Sequence, residues 1–332
     1  MEPETKRAVC LSRRVLLGAA LGAPFAGAAL ADSYPSRSPH VIVPFAAGGP
    51  TDVLTRIAAE RVSPALGQKL VVESRAGAGG NIAAETALHA EADGYTLLVA
   101  GQAILAINKA LYKKIGYDPA TDFKFVGMLG VIANVLLVNP KTVPVNSVAE
   151  LIALAKSKPG DISYASNGPG SLTHLTTEIM AHQAGVKFLH VPYQGAAPLM
   201  TDLLAGRVGM TFTAASAALP LARSGQLRAL AVTTGKRSRF SPDLPTLVES
   251  GFPSLDAPTW FAVVLRAGTP EPILTKLRGD FNGVIASDDY ASALEKQSME
   301  VMLVPPDTSE QFLAKERALW SEAVKMTGVS ID

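Results

Sequence analysis

The chain holds one cysteine, Cys10, and almost no surplus charge: 30 Lys+Arg stand against 29 Asp+Glu among 332 residues. A lone cysteine excludes an internal disulfide framework and any Cys-rich zinc or iron–sulfur site. A formal charge of +1, with 18% charged residues, excludes a polybasic nucleic-acid binder and a disordered acidic chain. Motifs are missing too. Neither G-x-x-x-x-G-K-[ST] nor G-x-G-x-x-G occurs in the glycine-rich loops, which argues against a nucleotide ligand. No G-x-S-x-G elbow offers an activated serine, and no pair of the five histidines has the H-E-x-x-H spacing of a zinc site. No cofactor and no metal are therefore expected.

What the sequence does have is hydrophobicity, 48% of residues and a mean hydropathy of +0.23. Part of it sits in one segment. Lys6, Arg7, Arg13 and Arg14 are followed by the uncharged run Val15 to Ala31, which ends in Ala29-Leu30-Ala31. A basic start, a short apolar run and a small-x-small end describe an export signal cleaved after Ala31. Gly18, Gly22, Pro24 and Gly27 weaken the run as a membrane span. Ser12-Arg13-Arg14-Val15-Leu16-Leu17 fits a twin-arginine signal, with an ordinary secretory signal as the alternative. Removing Met1 to Ala31 takes the only cysteine, four basic and two acidic residues, and leaves a net charge of −1. The expected product is an exported, periplasmic, soluble protein.

Beyond residue 38, short β-branched runs alternate with helical stretches, the rhythm of βα units around a largely parallel sheet. Strands are expected at 41–43, 70–72, 95–100, 162–165, 188–191, 208–212, 227–233 and 261–265. Helices are expected from about 50 to 66, 81 to 92, 147 to 158, 171 to 184, 197 to 205, 270 to 286 and 308 to 326. Two such series, with a tail returning after the Pro-rich stretch 242–258, predict two α/β lobes. One lobe is residues 32–135 with 258–332, the other 136–257. The chain would cross between them near 131–138 and 257–264.

Two glycine-rich loops stand directly before expected helices: Ala46-Ala47-Gly48-Gly49-Pro50-Thr51-Asp52 and Ser166-Asn167-Gly168-Pro169-Gly170-Ser171. A helix N-terminus presents unpaired N–H groups and the positive end of the macrodipole, and glycine lets a ligand approach the backbone. Each loop reads either as an anion site needing no Lys or Arg, or as a tight turn with Pro50 at the first helical position. One loop in each lobe favours a clamp. His174, in the first turn after the second loop, reads as a ligand donor or, with more weight, as a structural tie. His190 reads as a hydrogen-bonded core residue.

Those loops also carry a resemblance. Val43 to Asp52, Glu73 to Ala84 and Asp93-Gly94-Tyr95-Thr96-Leu97-Leu98 resemble, in order, signatures of the Bug (TctC-like) family of extracytoplasmic solute receptors of tripartite tricarboxylate transporters. Tyr164 to Ser171 with His174-Leu175, His190 to Pro198, Leu227 to Thr233 and Leu244-Pro245-Thr246-Leu247 continue the series. The resemblance implies a type II periplasmic-binding-protein fold, two α/β lobes with a ligand cleft and two crossover strands. It implies a carboxylate ligand (an organic acid, aromatic acid or amino acid) and no chemistry; the alternative, a periplasmic enzyme acting on a carboxylated substrate in the same cleft, has no nucleophile or metal signature behind it. It implies membrane partners, either the transporter or a sensor, and a monomer that binds no nucleic acid. Transferred by motif, the ligand residues would be Phe45, Ala47, Gly48, Gly49, Thr51 and Asp52 in the first loop, with Asn81, Gln102 and Ala103 in the same lobe. Ser166, Gly170, Ser171 and His174 would close from the other lobe, with Tyr193 and Thr213 as further wall residues. Gln102 departs from the Ser or Thr common in the family. Asp52 would either receive a ligand ammonium or serve its own helix N-terminus.

Overall fold

The computed structural model describes residues 34–332; the export signal expected at 1–31 lies outside the described residues. Two five-stranded sheets organise the chain. The first has the order β2-β1-β3-β10-β4, built from β1 (His40–Val43), β2 (Val71–Ser74), β3 (Thr96–Gly101), β4 (Phe123–Ile132) and β10 (Thr259–Arg266). In the second the order is β7-β6-β8-β5-β9, from β5 (Asn134–Val138), β6 (Ser163–Ser166), β7 (Leu189–Pro192), β8 (Met210–Ala214) and β9 (Arg228–Val232). This is the two-lobe architecture expected from the βα rhythm, with one difference. The sheets are mixed: β10 runs antiparallel to both β3 and β4, and β5 antiparallel to β8 and β9.

Those antiparallel strands are the ones that carry the chain across. β4 leads through Ala133 into β5 and so passes from one sheet to the other. The return runs from β9 through 233–258 to β10, whose six central residues, Trp260 to Leu265, are all buried. A strand covered on both faces reads as a continuous apolar run rather than an alternating one. Hydrogen bonds tie the two passages together: Asn134 Nδ2 donates to Thr259 Oγ1 at 2.9 Å, and Ala257 N to Thr233 O at 2.8 Å.

Helices fill the faces. α1 (Pro50–Leu66) starts on Pro50 and stops at Gly67, whose φ of +76° closes the C-cap. α2 (Asn81–His89) covers the first sheet; α4 (Val148–Ser157), α5 (Leu172–Ala184), α6 (Ala196–Ala205) and α7 (Ala215–Arg223) surround the second. Between β3 and β4 lies an element the residue pattern did not suggest, a π-helical turn (Ala103–Ile107) running into the one-turn α3 (Asn108–Leu111). α8 (Glu271–Ile285) and α9 (Asp288–Glu295) pack near α1 and β4.

The last helix, α10 (Ser309–Thr327), departs from the expectation that the tail belongs wholly to the first lobe. Its early turns place Phe312 and Leu313 in the first core, beside Trp260 and Val264. Its later turns place Trp320, Ala323 and Val324 in the second core, with Leu175, Ile179 and Met180 of α5. Both tryptophans donate to one carboxylate oxygen, Glu316 Oε2, from Trp260 Nε1 at 2.8 Å and Trp320 Nε1 at 3.1 Å.

Candidate functional site

A cavity of about 580 Å³ opens between the sheets and is walled from both. The first loop contributes Phe45, and the chain after β3 contributes Gln102 and Ala103. The second loop contributes Gly170 and Ser171. Five of the residues carried over by motif thus meet in one space. The quoted signatures also supply Gly79, Asn167, Pro169 and Gln194, while other walls come from places where no motif pointed. The π-turn and α3 supply Ile104, Ile107, Asn108 and Leu111, and the crossing strands supply Asn134, Thr259 and Phe261. A π-turn holds one residue more than an α-turn, and such turns recur at functional sites. A broken helical period between Gly101 and Tyr112 was the only available signal for it.

Most of the remaining motif residues are engaged with the protein. Asp52 is buried; its Oδ2 accepts from Gly48 N and from Arg56 Nε, each at 2.9 Å. The Arg56 hydrogen bond holds the carboxyl below its ordinary range, against the opposing effect of burial. Asp52 stands in the first turn of α1, where a carboxylate suits the helix macrodipole, and Gly48 has φ +78°. Asp52 Oδ1 is buried with no protein partner. Thr51 is buried beside it, Ala47 is exposed, and Gly49 N donates to Ala46 O at 3.3 Å to close the turn. Asn81 Oδ1 accepts from Asn108 Nδ2 at 2.6 Å and Tyr117 Oη at 2.9 Å, which fixes α3 against α2. Gln102 turns to the crossing strand, donating to Pro258 O and accepting from Trp260 N at 3.0 Å. Thr213 pairs with Val135 inside the second sheet, and Tyr193 Oη donates to Asp202 Oδ2 at 2.8 Å.

Beneath the second loop stands a stack of three rings. His174 lies parallel to His190 with centroids 4.1 Å apart, and His190 lies 4.8 Å from Tyr164. His174 Nδ1 accepts the Gly170 N–H at 3.0 Å, so the neutral ring carries its proton on Nε2. Ser166 Oγ is 2.7 Å from His190 Nε2, and Ser171 Oγ caps α5 by accepting from His174 N. The stack thus sets the height of a loop whose Gly170 and Ser171 face the cavity. Burial first, and the neighbouring His190 second, push the His174 pKa down to about 4. An unfolded histidine titrates near 6.5, so between about 6.5 and 4 the unfolded chain binds the extra proton. The stability from His174 is therefore complete above about 6.5 and is lost as pH falls towards 4. Urea melts at pH 7.5 and 5 should show a falling midpoint, and His174→Gln should flatten the difference. An unchanged slope in that variant would remove the stack from the pH response.

Among the described residues, no group of three His, Cys, Asp or Glu is arranged to hold a metal ion. Two mixed sheets joined by two crossing passages, with a cavity walled from both, define a two-lobe solute-binding protein. The family model described as tripartite tricarboxylate transporter family receptor matches residues 54–329, and the chain belongs to that family of receptors, which are not enzymes. Protein BugT of Bordetella pertussis is 38% identical over 302 residues, covering 91% of this chain and 92% of that protein. Among solved structures, R. palustris Rpa4515 with adipate superposes with a TM-score of 0.78 at 38% identity, over 90% of this chain and 99% of that one. MatC from Rhodopseudomonas palustris with bound malate gives 0.74 at 30% identity, over 88% and 100%.

Proposed function

We propose that this protein is a periplasmic receptor that captures a small carboxylate between its lobes and presents it to the membrane components of a tripartite tricarboxylate transporter. The lobes are built on the two sheets, β1 to β4 with β10 and β5 to β9, with α10 shared between their cores, and closure is a hinge at the two crossing passages. The observation that carries the reading is the cavity itself, walled by a capped helix start at Gly170-Ser171 and by Phe45 from the opposite lobe. Helix starts and glycine loops supply N–H donors where charge must be attracted without a basic side chain. The relatives' adipate and malate support a carboxylate here. The remaining motif residues, Ala47 to Asp52 with Asn81, Ser166, His174, Tyr193 and Thr213, act by shaping the two loops or through ordered water. A sensing partner in place of the transporter would use the same cleft.

The test is a thermal-shift panel of mono-, di- and tricarboxylates, amino acids and neutral sugars. A true ligand at 100-fold over its Kd should add about 2.7 kcal/mol of stability. Stabilisation by neutral sugars, with no carboxylate active, would sink the proposal.

A further inference from the structure

The chemistry of the cavity wall narrows the ligand. Among the described residues, no Asp, Glu, Lys, Arg or His lines it. Three of the five amide side chains that line it lend their nitrogens to the protein. Gln102 donates to Pro258 O, Asn108 to Gly79 O and Asn81 Oδ1, and Asn134 to Thr259 Oγ1. Hydrocarbon makes up much of the rest: Phe45 and Phe261 meet edge to face with centroids 6.3 Å apart, and Ile107, Leu111 and Leu172 add aliphatic wall. Asn167 and Gln194, both exposed, are polar wall residues from loops of the second lobe.

We infer that the cavity selects carboxylates with a bare hydrocarbon body, aliphatic or aromatic, and discriminates against those bearing an ammonium or several hydroxyls. This rests on the carboxylate reading above. An ammonium taken out of water needs an anionic partner, and the wall has none. Asp52 Oδ1, buried without a protein partner, is the acceptor such a group would have to reach, but Asp52 is not part of the wall. Its Oδ2 is already held by Arg56 and Gly48. Each ligand hydroxyl loses water on entry and finds the three inner amides, Gln102, Asn108 and Asn134, already committed, whereas a methylene or ring gains contact with Phe45, Phe261 and Leu111.

Three acids with the same six-carbon chain isolate the effect: adipate, 2-aminoadipate and galactarate, titrated calorimetrically into the purified protein. 3-Phenylpropanoate against phenylalanine repeats the comparison on an aromatic body. In at least one series the bare acid should bind about tenfold or more tighter than its substituted partners. Phe45→Asn should narrow that gap by weakening the bare acid. Equal or tighter binding of the amino or hydroxy acids overturns the inference and leaves the carboxylate reading standing. It is overturned equally if neither bare acid binds while other carboxylates of the panel do. Binding of neutral sugars alone overturns both.

Discussion

Gly170→Ala should weaken ligand binding about tenfold or more, a loss of 1.4 kcal/mol per decade, while leaving the far-ultraviolet spectrum unchanged. Gly170 sits at φ +72°, where a side chain costs about 1–2 kcal/mol. The added Cβ would also stand 2.4 and 2.5 Å from the two Cδ atoms of Leu111, too close for either to stay. Leu111 belongs to α3 in the first lobe and is itself packed into the second core. The substitution therefore forces apart two walls of the cavity, and the N–H held by His174 moves with it. Leu111→Ala in the same chain should restore part of the affinity by making room. A double variant no better than the two single effects combined would show that the clash is not the cause. Undiminished affinity in Gly170→Ala alone would show that the loop does not approach the ligand.

The largest stability effect is expected at Glu316. Its Oε2 serves both tryptophans of the chain, Trp260 in the first core and Trp320 in the second, each almost fully buried. Glu316→Leu strands two buried indole N–H groups at about 1–3 kcal/mol each, so a loss of about 2–6 kcal/mol should appear in urea unfolding followed by fluorescence. Glu316→Gln keeps an acceptor and should stay within about 1 kcal/mol of the parent. Equal losses in both variants would mean that the acceptor is not what matters. Burial raises the Glu316 carboxyl above its usual range, and the two indoles only partly oppose it. For an acid raised on folding, the contribution is complete below the unfolded value and is lost as pH rises through the folded one. The parent should therefore lose stability relative to Glu316→Gln as pH rises through that interval.

Much of the frame was legible because its signals are local. Pro50 and Asp52 mark the start of α1, Ser171 that of α5, and Gly67 and Gly185 the stops. The βα rhythm predicts two α/β lobes, and the first passage between the sheets, β4 to β5 through Ala133, lies in the expected stretch 131–138, whereas the return is spread over 233–258 ahead of β10. What escaped is what depends on distant partners. The insertion of β10 between β3 and β4 is a pairing across more than a hundred residues, to which no local pattern points. The split allegiance of α10 is invisible because Phe312 and Trp320 satisfy the same helical period whichever core they meet. At the cavity, motif transfer brought Phe45, Gln102, Ala103, Gly170 and Ser171 together. It passed over Asn108, Leu111 and Phe261, whose residue types are ordinary and whose position alone brings them there.

The place of β10 also governs how the protein can be assembled and cut. With β10 absent, the first sheet would be a β2-β1-β3 fragment and an isolated β4, and β3 and β4 would each present an unpaired edge. Such edges are templates for pairing with another chain. Neither half of the sheet can close until residues 259–266 arrive, after the whole second lobe has been synthesised. Folding of the first lobe is thus bound to late, non-local contacts and should be the slow step of the pair. A fragment ending before Thr259 should aggregate, whereas one spanning β5 to β9 retains every strand of its own sheet.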